Sequence, residues 1–172
     1  MAGIDVYFSL GSNMGDRRRN IAEAVRRMEE ALSVKVSAVS DILETEPWGF
    51  DPGKGEEGST KNIGLFYNAA MRFEIPQAGQ NPFLYAHALL DICKRIEKEM
   101  GRIERPLYDQ EGKRQYFSRP IDIDLLFYGM ENIQSNRLIV PHLGISERDF
   151  VKIPLRQIAK CNLIEAFPHI FN

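Results

Sequence analysis

Cysteine is scarce in this 172-residue chain. Cys93 and Cys161 are too few for a disulfide framework and stand in no zinc-finger spacing. They read as ordinary thiols of a reducing compartment, so a cytoplasmic protein is the expectation. No apolar run approaches the ~18 residues of a membrane span. Met1-Ala2-Gly3-Ile4-Asp5 leads straight into an apolar strand pattern, with no charged n-region or cleavage site. Neither sign of charge dominates: 22 Lys plus Arg against 24 Asp plus Glu leaves −2, which gives no global pull toward nucleic acid or an acidic membrane. There is no internal repeat and no low-complexity segment. The G-x-x-x-x-G-K-[ST] phosphate loop is absent. Gly53-Lys54-Gly55-Glu56-Glu57-Gly58 matches G-x-G-x-x-G only by letter, since no strand leads into it, no helical pattern follows, and two acids sit where phosphate would go.

What is present is an ordinary globular composition, 44% apolar and 27% charged, sized for a single domain over 1–172. Asp5–Leu10 predicts a buried strand, and Asp16 caps a helix to about Leu32 with Ile21, Val25, Met28 and Leu32 on one face. Val34–Leu43 is β-rich. A Gly/Pro/charged stretch follows from about Pro47 to Gly64, then a third strand from Leu65 to Ile75. Asn81-Pro82 opens a second helix, with Ala86, Leu89, Cys93, Ile96 and Met100 as its stripe and Gly101 as its end. Ile121–Phe127 is a fourth strand. Leu138–Val140 reads as a short extra strand, Ser146 as the cap of a short helix, and Leu155–Ala159 as a last helical stretch before a patternless tail. The order β-α-β-β-α-β is the ferredoxin-like α+β arrangement, an antiparallel sheet with helices on one face, here with a C-terminal appendage.

The sharpest chemical feature is Arg119-Pro120-Ile121-Asp122-Ile123-Asp124-Leu125. Residues two apart on a strand share a face, so Asp122 and Asp124 point together while Ile121, Ile123 and Leu125 enter the core. Paired carboxylates repel unless a cation lies between them, and Mg²⁺ takes carboxylate and phosphate oxygens. The alternative is a solvated strand face with Arg neighbours. Arg102, Arg105, Arg114 and Arg119 lie on or near the loop before this strand, and Arg137 and Arg148 follow it. Guanidinium groups suit phosphate oxygens, though a solvated charged loop has the same composition. His142 in the loop after the strand is a candidate phosphate donor. His87 reads as a surface residue. Phe66 and Asn68 share one face of the third strand, so a flat heterocycle could stack on the ring while the amide reads its edge, with Phe150 as the other wall. Core packing is the other reading of those aromatics.

Six segments in order resemble the 6-hydroxymethyl-7,8-dihydropterin pyrophosphokinases of folate synthesis. They are Leu10-Gly11-Ser12-Asn13-x-Gly15-Asp16; Thr45-x-Pro47-x-Gly49; Asn68-Ala69; Ile96-Glu97-x-x-x-Gly101-Arg102; Arg119 through Phe127; and Val140-Pro141-His142 with Arg148-x-Phe150-Val151 and Pro154-Leu155. The resemblance implies transfer of pyrophosphate from ATP to the pterin hydroxymethyl oxygen, with AMP leaving. It implies that Asp122 and Asp124 hold two Mg²⁺ ions, and that Arg102 and Arg119 act on the phosphates. His142 and Arg148 become further triphosphate contacts, with Lys94, Glu97 and Arg137 on the nucleotide side. Phe66 and Phe150 become the pterin sandwich, and Asn68 with Thr45, Pro47, Trp48 and Gly49 reads the pterin edge. ATP and the pterin are the implied partners of a monomeric chain, with neither nucleic acid nor membrane. The chain departs from the family at Glu104, where a second arginine is frequent and Arg105 follows one step later. It also departs at Tyr116, Phe117 and Leu143, and in a longer, more acidic Asp51–Asn62 loop.

Two other readings share parts of this pattern. An RNA-recognition module predicts exposed aromatics on central strands and a basic face. Another metal-dependent nucleotidyl transferase would use Asp122 and Asp124 but has no need of Asn68 or the Thr45–Gly49 segment.

Overall fold

A computed structural model describes residues 3–46, 64–77, 79–103, 110–113 and 118–172. The elements are β1 (Gly3–Ser12), α1 (Arg17–Leu32), β2 (Ala38–Val39), β3 (Leu43–Thr45), β4 (Phe66–Pro76), α2 (Pro82–Glu99), β5 (Asp122–Tyr128), β6 (Ile133–Gln134), β7 (Ile139–Val140), α3 (Asp149–Ile158), α4 (Cys161–Ala166) and α5 (Pro168–Phe171). β4 lies beside β1, β1 beside β5, and β2 and β3 both pair with β4 on its outer side, all antiparallel. This is the expected ferredoxin-like α+β sheet, with its second strand broken into β2 and β3. β6 and β7 form a separate hairpin.

Alternation along the strands sorts side chains into two layers. Val6, Phe8 and Leu10 of β1, Ala69, Met71 and Phe73 of β4, and Ile123 and Leu125 of β5 join Ile121 and the α1 and α2 stripes in one core. α1 contributes Ile21, Ala24 and Met28, and α2 contributes Ala86, Leu89, Cys93 and Ile96. Caps fix where these helices begin. Asp16 accepts from the Arg19 amide at 3.1 Å, and Asn81, followed by Pro82, accepts from the Leu84 amide at 3.1 Å.

The opposite face has two halves. Tyr7, Ala70, Leu126 and Phe127 are covered by Ile145, Val151, Leu155, Ile158, Leu163, Phe167, Ile170 and Phe171. Alternation alone would send Phe127 to the helix side. Instead β5 carries one extra residue, because Tyr7 pairs with Phe127 and Phe8 with Leu125, leaving Leu126 between. This bulge puts Leu126 and Phe127 on the same side and returns Tyr128 to the helix core. The other half of that face, nearer Ser9 and Gly11, carries Asn68, Phe66, Asp122 and Asp124.

Three elements differ from the sequence expectation. Val34–Leu43 is not one strand: Ala38–Val39, with the Ser37 and Ser40 amides, bond to β4, then the Asp41 amide turns away to Gln157 Oε1, and pairing resumes only at Leu43. The helix expected near Ser146 begins at Asp149 with no side-chain cap on it. The tail is two short helices whose Leu163, Phe167, Ile170 and Phe171 are buried. Single turns this short are held by burial, not by periodicity.

Candidate active site

The open half of the face is built around Gly11. A Cβ at this position would sit 3.6 Å from Asn68 Oδ1, 3.7 Å from the Phe66 ring and 3.9 Å from Asp122 Cβ. Gly11 pairs with Asn68 on one side and Asp122 on the other. The missing side chain therefore leaves a floor onto which all three converge. Asn68, 5% exposed, donates through Nδ2 to Leu43 O at 3.1 Å and to Thr45 Oγ1 at 2.8 Å. Both amide hydrogens are used, so Oδ1 faces the floor as an acceptor. It can read only the N–H edge of a ligand. Thr45, expected as a pterin contact, is thus the group that orients Asn68. Phe150 is half-buried against the cluster beneath α3. Pro47, Trp48 and Gly49 lie outside the described residues, as do Glu104, Arg105, Arg114, Tyr116, Phe117 and the Asp51–Asn62 loop.

Asp122 and Asp124 share the face as alternation predicts, but their surroundings differ. Asp122 accepts from Arg102 at 2.6 Å and from Arg119 at 3.4 Å. Burial alone would raise its pKa, but Arg119 and Arg102 outweigh burial and hold it below the usual carboxylate range. Arg102 also bonds Glu97, which is 2% exposed at the end of α2, with Lys94 Nζ 3.3 Å away. Burial and the neighbouring Asp122 charge raise the Glu97 pKa. Asp124 has no ion-pair partner among the described residues. Burial, then the charges of Asp122 and Glu97, push it up to about 7.

Asn13, 7% exposed and not singled out by composition or spacing, fixes Arg119. Its side-chain Oδ1 accepts from the Arg119 backbone amide at 2.7 Å, and its own backbone amide donates to Arg119 O at 3.2 Å. The side chain extends β1 by one more pairing and docks the Arg119-Pro120 turn against it. An asparagine just past a strand end is the signal that could have found it.

His142 follows the cis Val140-Pro141 bond. Its backbone amide donates to Leu126 O, which ties it to the outer edge of β5. The Gly144 amide donates to His142 Nδ1 at 3.1 Å. An amide can only donate, so Nδ1 is the acceptor and Nε2 carries the proton of the neutral ring. Burial, then the nearby Arg148 charge, lowers the His142 pKa and favours that neutral form. The Arg148 guanidinium lies over Gly144, where a Cβ would come within 2.7 Å of Cζ and Nε. Arg137, expected on the nucleotide side, bonds Asp91 of α2 at 2.5 Å. This joins the β6–β7 hairpin to α2 within three residues of Lys94. His87 does the same, accepting from Ser135 Oγ at Nε2 (2.7 Å) and donating from Nδ1 to Phe83 O (2.7 Å). It is therefore half-buried and structural, not the free surface residue the sequence suggests.

Asp122 and Asp124 fit a divalent cation on the chemistry of the donors. One carboxylate is partnered by arginines and the other has a proton affinity raised by neighbouring negative charge, which a cation would relieve. Among the described residues no group of three or more His, Cys, Asp or Glu is gathered as a complete cage. An ion at this pair would therefore complete its shell with ligand oxygens and water, as Mg²⁺ does with phosphates. The RNA-module reading fits less well, since Tyr7 and Phe127 are buried under α3–α5 and the open half carries carboxylates.

A split-βαβ sheet with paired carboxylates beside guanidinium groups on one open half-face defines a class of protein suited to metal-assisted phosphate chemistry. Comparison with known proteins is more specific. Residues 7–160 match the family model for 7,8-dihydro-6-hydroxymethylpterin-pyrophosphokinase, and the chain belongs to that family. It is 39% identical over 151 residues to a "Folate synthesis bifunctional protein" of Arabidopsis thaliana, covering 88% of this chain and 26% of that one. Two relatives bear the name 2-amino-4-hydroxy-6-hydroxymethyldihydropteridine pyrophosphokinase. The one from Bacillus subtilis strain 168 is 33% identical, covering 92% of this chain and 79% of its own length. The one from Aquifex aeolicus is 35% identical, covering 89% and 79%. The chain thus spans about a quarter of the plant protein and about four-fifths of the bacterial ones. A crystal structure of HPPK-DHPS in complex with substrates shares the fold, with a TM-score of 0.57 and 16% identity, covering 92% of this chain and 40% of that one.

Proposed function

We propose that the chain transfers the terminal diphosphate of ATP to the hydroxymethyl oxygen of 6-hydroxymethyl-7,8-dihydropterin, releasing AMP, as a step of folate synthesis. The observation that carries this is the Gly11 floor, where the Phe66 ring, the acceptor Oδ1 of Asn68 and the Cβ of Asp122 all lie within 4 Å of where a Gly11 Cβ would stand. A heterocycle lying there would stack on Phe66 and give its N–H edge to Asn68 Oδ1. Its substituent would point toward Asp122 and Asp124. Phe150 would close the far side.

Asp122 and Asp124 would hold Mg²⁺, two ions by analogy with the family. Bound there, Mg²⁺ would neutralise phosphate charge and align the transferred group. Arg102 and Arg119, already converging on Asp122, would take phosphate oxygens and stabilise charge that builds up in transfer. His142 would donate from Nε2–H to a phosphate oxygen, and Arg148 would add a guanidinium. Lys94, Glu97 and Arg137 would border the nucleotide. Pro47, Trp48 and Gly49 remain assigned to the pterin side by resemblance alone. No helix among the described residues is long and apolar enough to cross a membrane. One domain, acting as a cytoplasmic monomer on small molecules and not on nucleic acid, completes the reading.

The test is AMP formation from ATP and Mg²⁺ with and without the pterin, followed by chromatography. AMP appearing only with the pterin, in step with a pyrophosphorylated pterin, supports the reading. Folded protein giving no pterin-dependent AMP overturns it. Release of pyrophosphate instead of AMP would favour a nucleotidyl transferase.

A further inference from the structure

The first turn of α1 holds Arg17, Arg18 and Arg19 and no acid. Cations at a helix N-terminus oppose its dipole. Arg17 has a compensating set of partners. Its Nη1 donates to Leu65 O at 2.8 Å and lies 3.4 Å from Glu44 Oε2. Its Cζ stands 3.9 Å over the Tyr67 ring. Glu44 belongs to β3, Tyr67 to β4, and Leu65 immediately precedes β4.

Register shows what this grip does. Glu44 and Tyr67 are directly opposite each other, flanked by the pairs Leu43–Asn68 and Thr45–Phe66. Alternation puts Glu44 and Tyr67 on the helix side, and Phe66, Asn68 and Thr45 on the open face. Arg17 therefore holds the back of a two-stranded ribbon whose front is the heterocycle floor. β3 is three residues long and has only β4 as a strand partner among the described residues, so its pairing alone is weak. The Asn68–Thr45 bond crosses that pairing. A slip there would release Nδ2 and let the amide turn.

We propose that Arg17 is a positioning residue for the pterin-reading edge. By bonding a carbonyl, pairing with a carboxylate and capping a ring at once, it fixes β3 against β4, so that Asn68 Oδ1 and Phe66 keep their places on the Gly11 floor. This rests on the pterin reading of the site. Both polar contacts come from Nη1, while the planar guanidinium lies over the ring. A lysine ammonium, with three donors, could keep the polar contacts but not the flat stacking on Tyr67.

Purified wild type, Arg17→Ala and Arg17→Lys are compared for KM of pterin, KM of ATP, kcat and melting temperature. Arg17→Ala is expected to raise the pterin KM about tenfold, equivalent to about 1.4 kcal/mol. The ATP KM and kcat should stay within about twofold, and Arg17→Lys should fall between. Equal weakening of both substrates in step with the melting temperature, or an unchanged pterin KM, overturns the proposal. Should Arg17→Ala fail to fold, Tyr67→Leu removes the ring alone and must show the same pterin-selective change. A wild type without pterin-dependent turnover overturns the reading of the site and this inference with it. A wild type that turns over normally beside an indistinguishable Arg17→Ala overturns only the inference.

Discussion

Asp124→Asn should make the metal-free protein more stable, and Asp122→Asn should make it less stable, although the two side chains are neighbours on one strand face. The opposite signs follow from the groups around them. Asp124 is pushed from 3.8 to about 7 by burial and by the charges of Asp122 and Glu97. Between about pH 4 and pH 7 the unfolded chain has released this proton while the folded chain keeps it. The folded state then binds more protons, and stability falls as pH rises. A rise of roughly 3 pH units sets a ceiling of about 4 kcal/mol. Because the carboxyl is part-exposed and screened by solvent, a gain of about 1–2 kcal/mol is expected for the asparagine at pH 8. Asp122 lies between Arg102 at 2.6 Å and Arg119 at 3.4 Å, and its ionised form is the one the fold favours. Removing that charge takes an anion from two guanidinium groups, at about 1–3 kcal/mol. Urea unfolding in EDTA at pH 5 and pH 8 measures both. The advantage of Asp124→Asn should grow between pH 5 and 7 and level off above. Mg²⁺ added to the wild type at pH 8 should cancel it. Shifts of the same sign in the two variants, or an Asp124→Asn advantage independent of pH, would refute the reasoning.

Gly144→Ala places a Cβ where the Arg148 guanidinium lies, and the flexible arginine is what yields; a severalfold rise in ATP KM with pterin KM unchanged is expected in steady-state kinetics. Asn13→Ala leaves the Arg119 amide without its side-chain acceptor. A stability loss of about 1–2 kcal/mol is expected in urea unfolding. The kcat should fall more, by about 10- to 100-fold, because the phosphate contact proposed for Arg119 would be displaced. His142 is lowered by burial and by Arg148, so the unfolded chain takes up its proton first as pH falls through 6.5. Stability should drop on acidification from there, and His142→Gln should flatten that part of the pH–stability curve.

Much of this was legible in the chain. The two helices, their caps, the long strands and the shared face of Asp122 and Asp124 all follow from periodicity and short-range capping. These are local interactions, which sequence records directly. The position of Asn68 on the site face was also readable, because parity on a strand is strict. What was not legible depends on partners distant in sequence. Whether Asp122 or Asp124 carries the arginines depends on where the chain turns at Gly101 and Arg119. His87 looked superficial because Ser135 is 48 residues away. The tail looked patternless because its apolar residues answer to the sheet and not to a helical period. Arg17 reads as one cation among three until β3 and β4 are brought to it.

The extra residue at Leu126 has a consequence for how this chain can change over evolutionary time. An insertion or deletion in a strand ordinarily exchanges the two faces for everything beyond it. Here one exchange has already occurred, between the carboxylates and the aromatic anchor of the tail. Upstream of it, the alternation answers to Asp122 and Asp124. Downstream, it answers to Phe127 and Tyr128. Each end of β5 has its own phase, so the tail could be shortened, rebuilt or replaced by a neighbouring domain while the two aspartates kept their orientation over the floor.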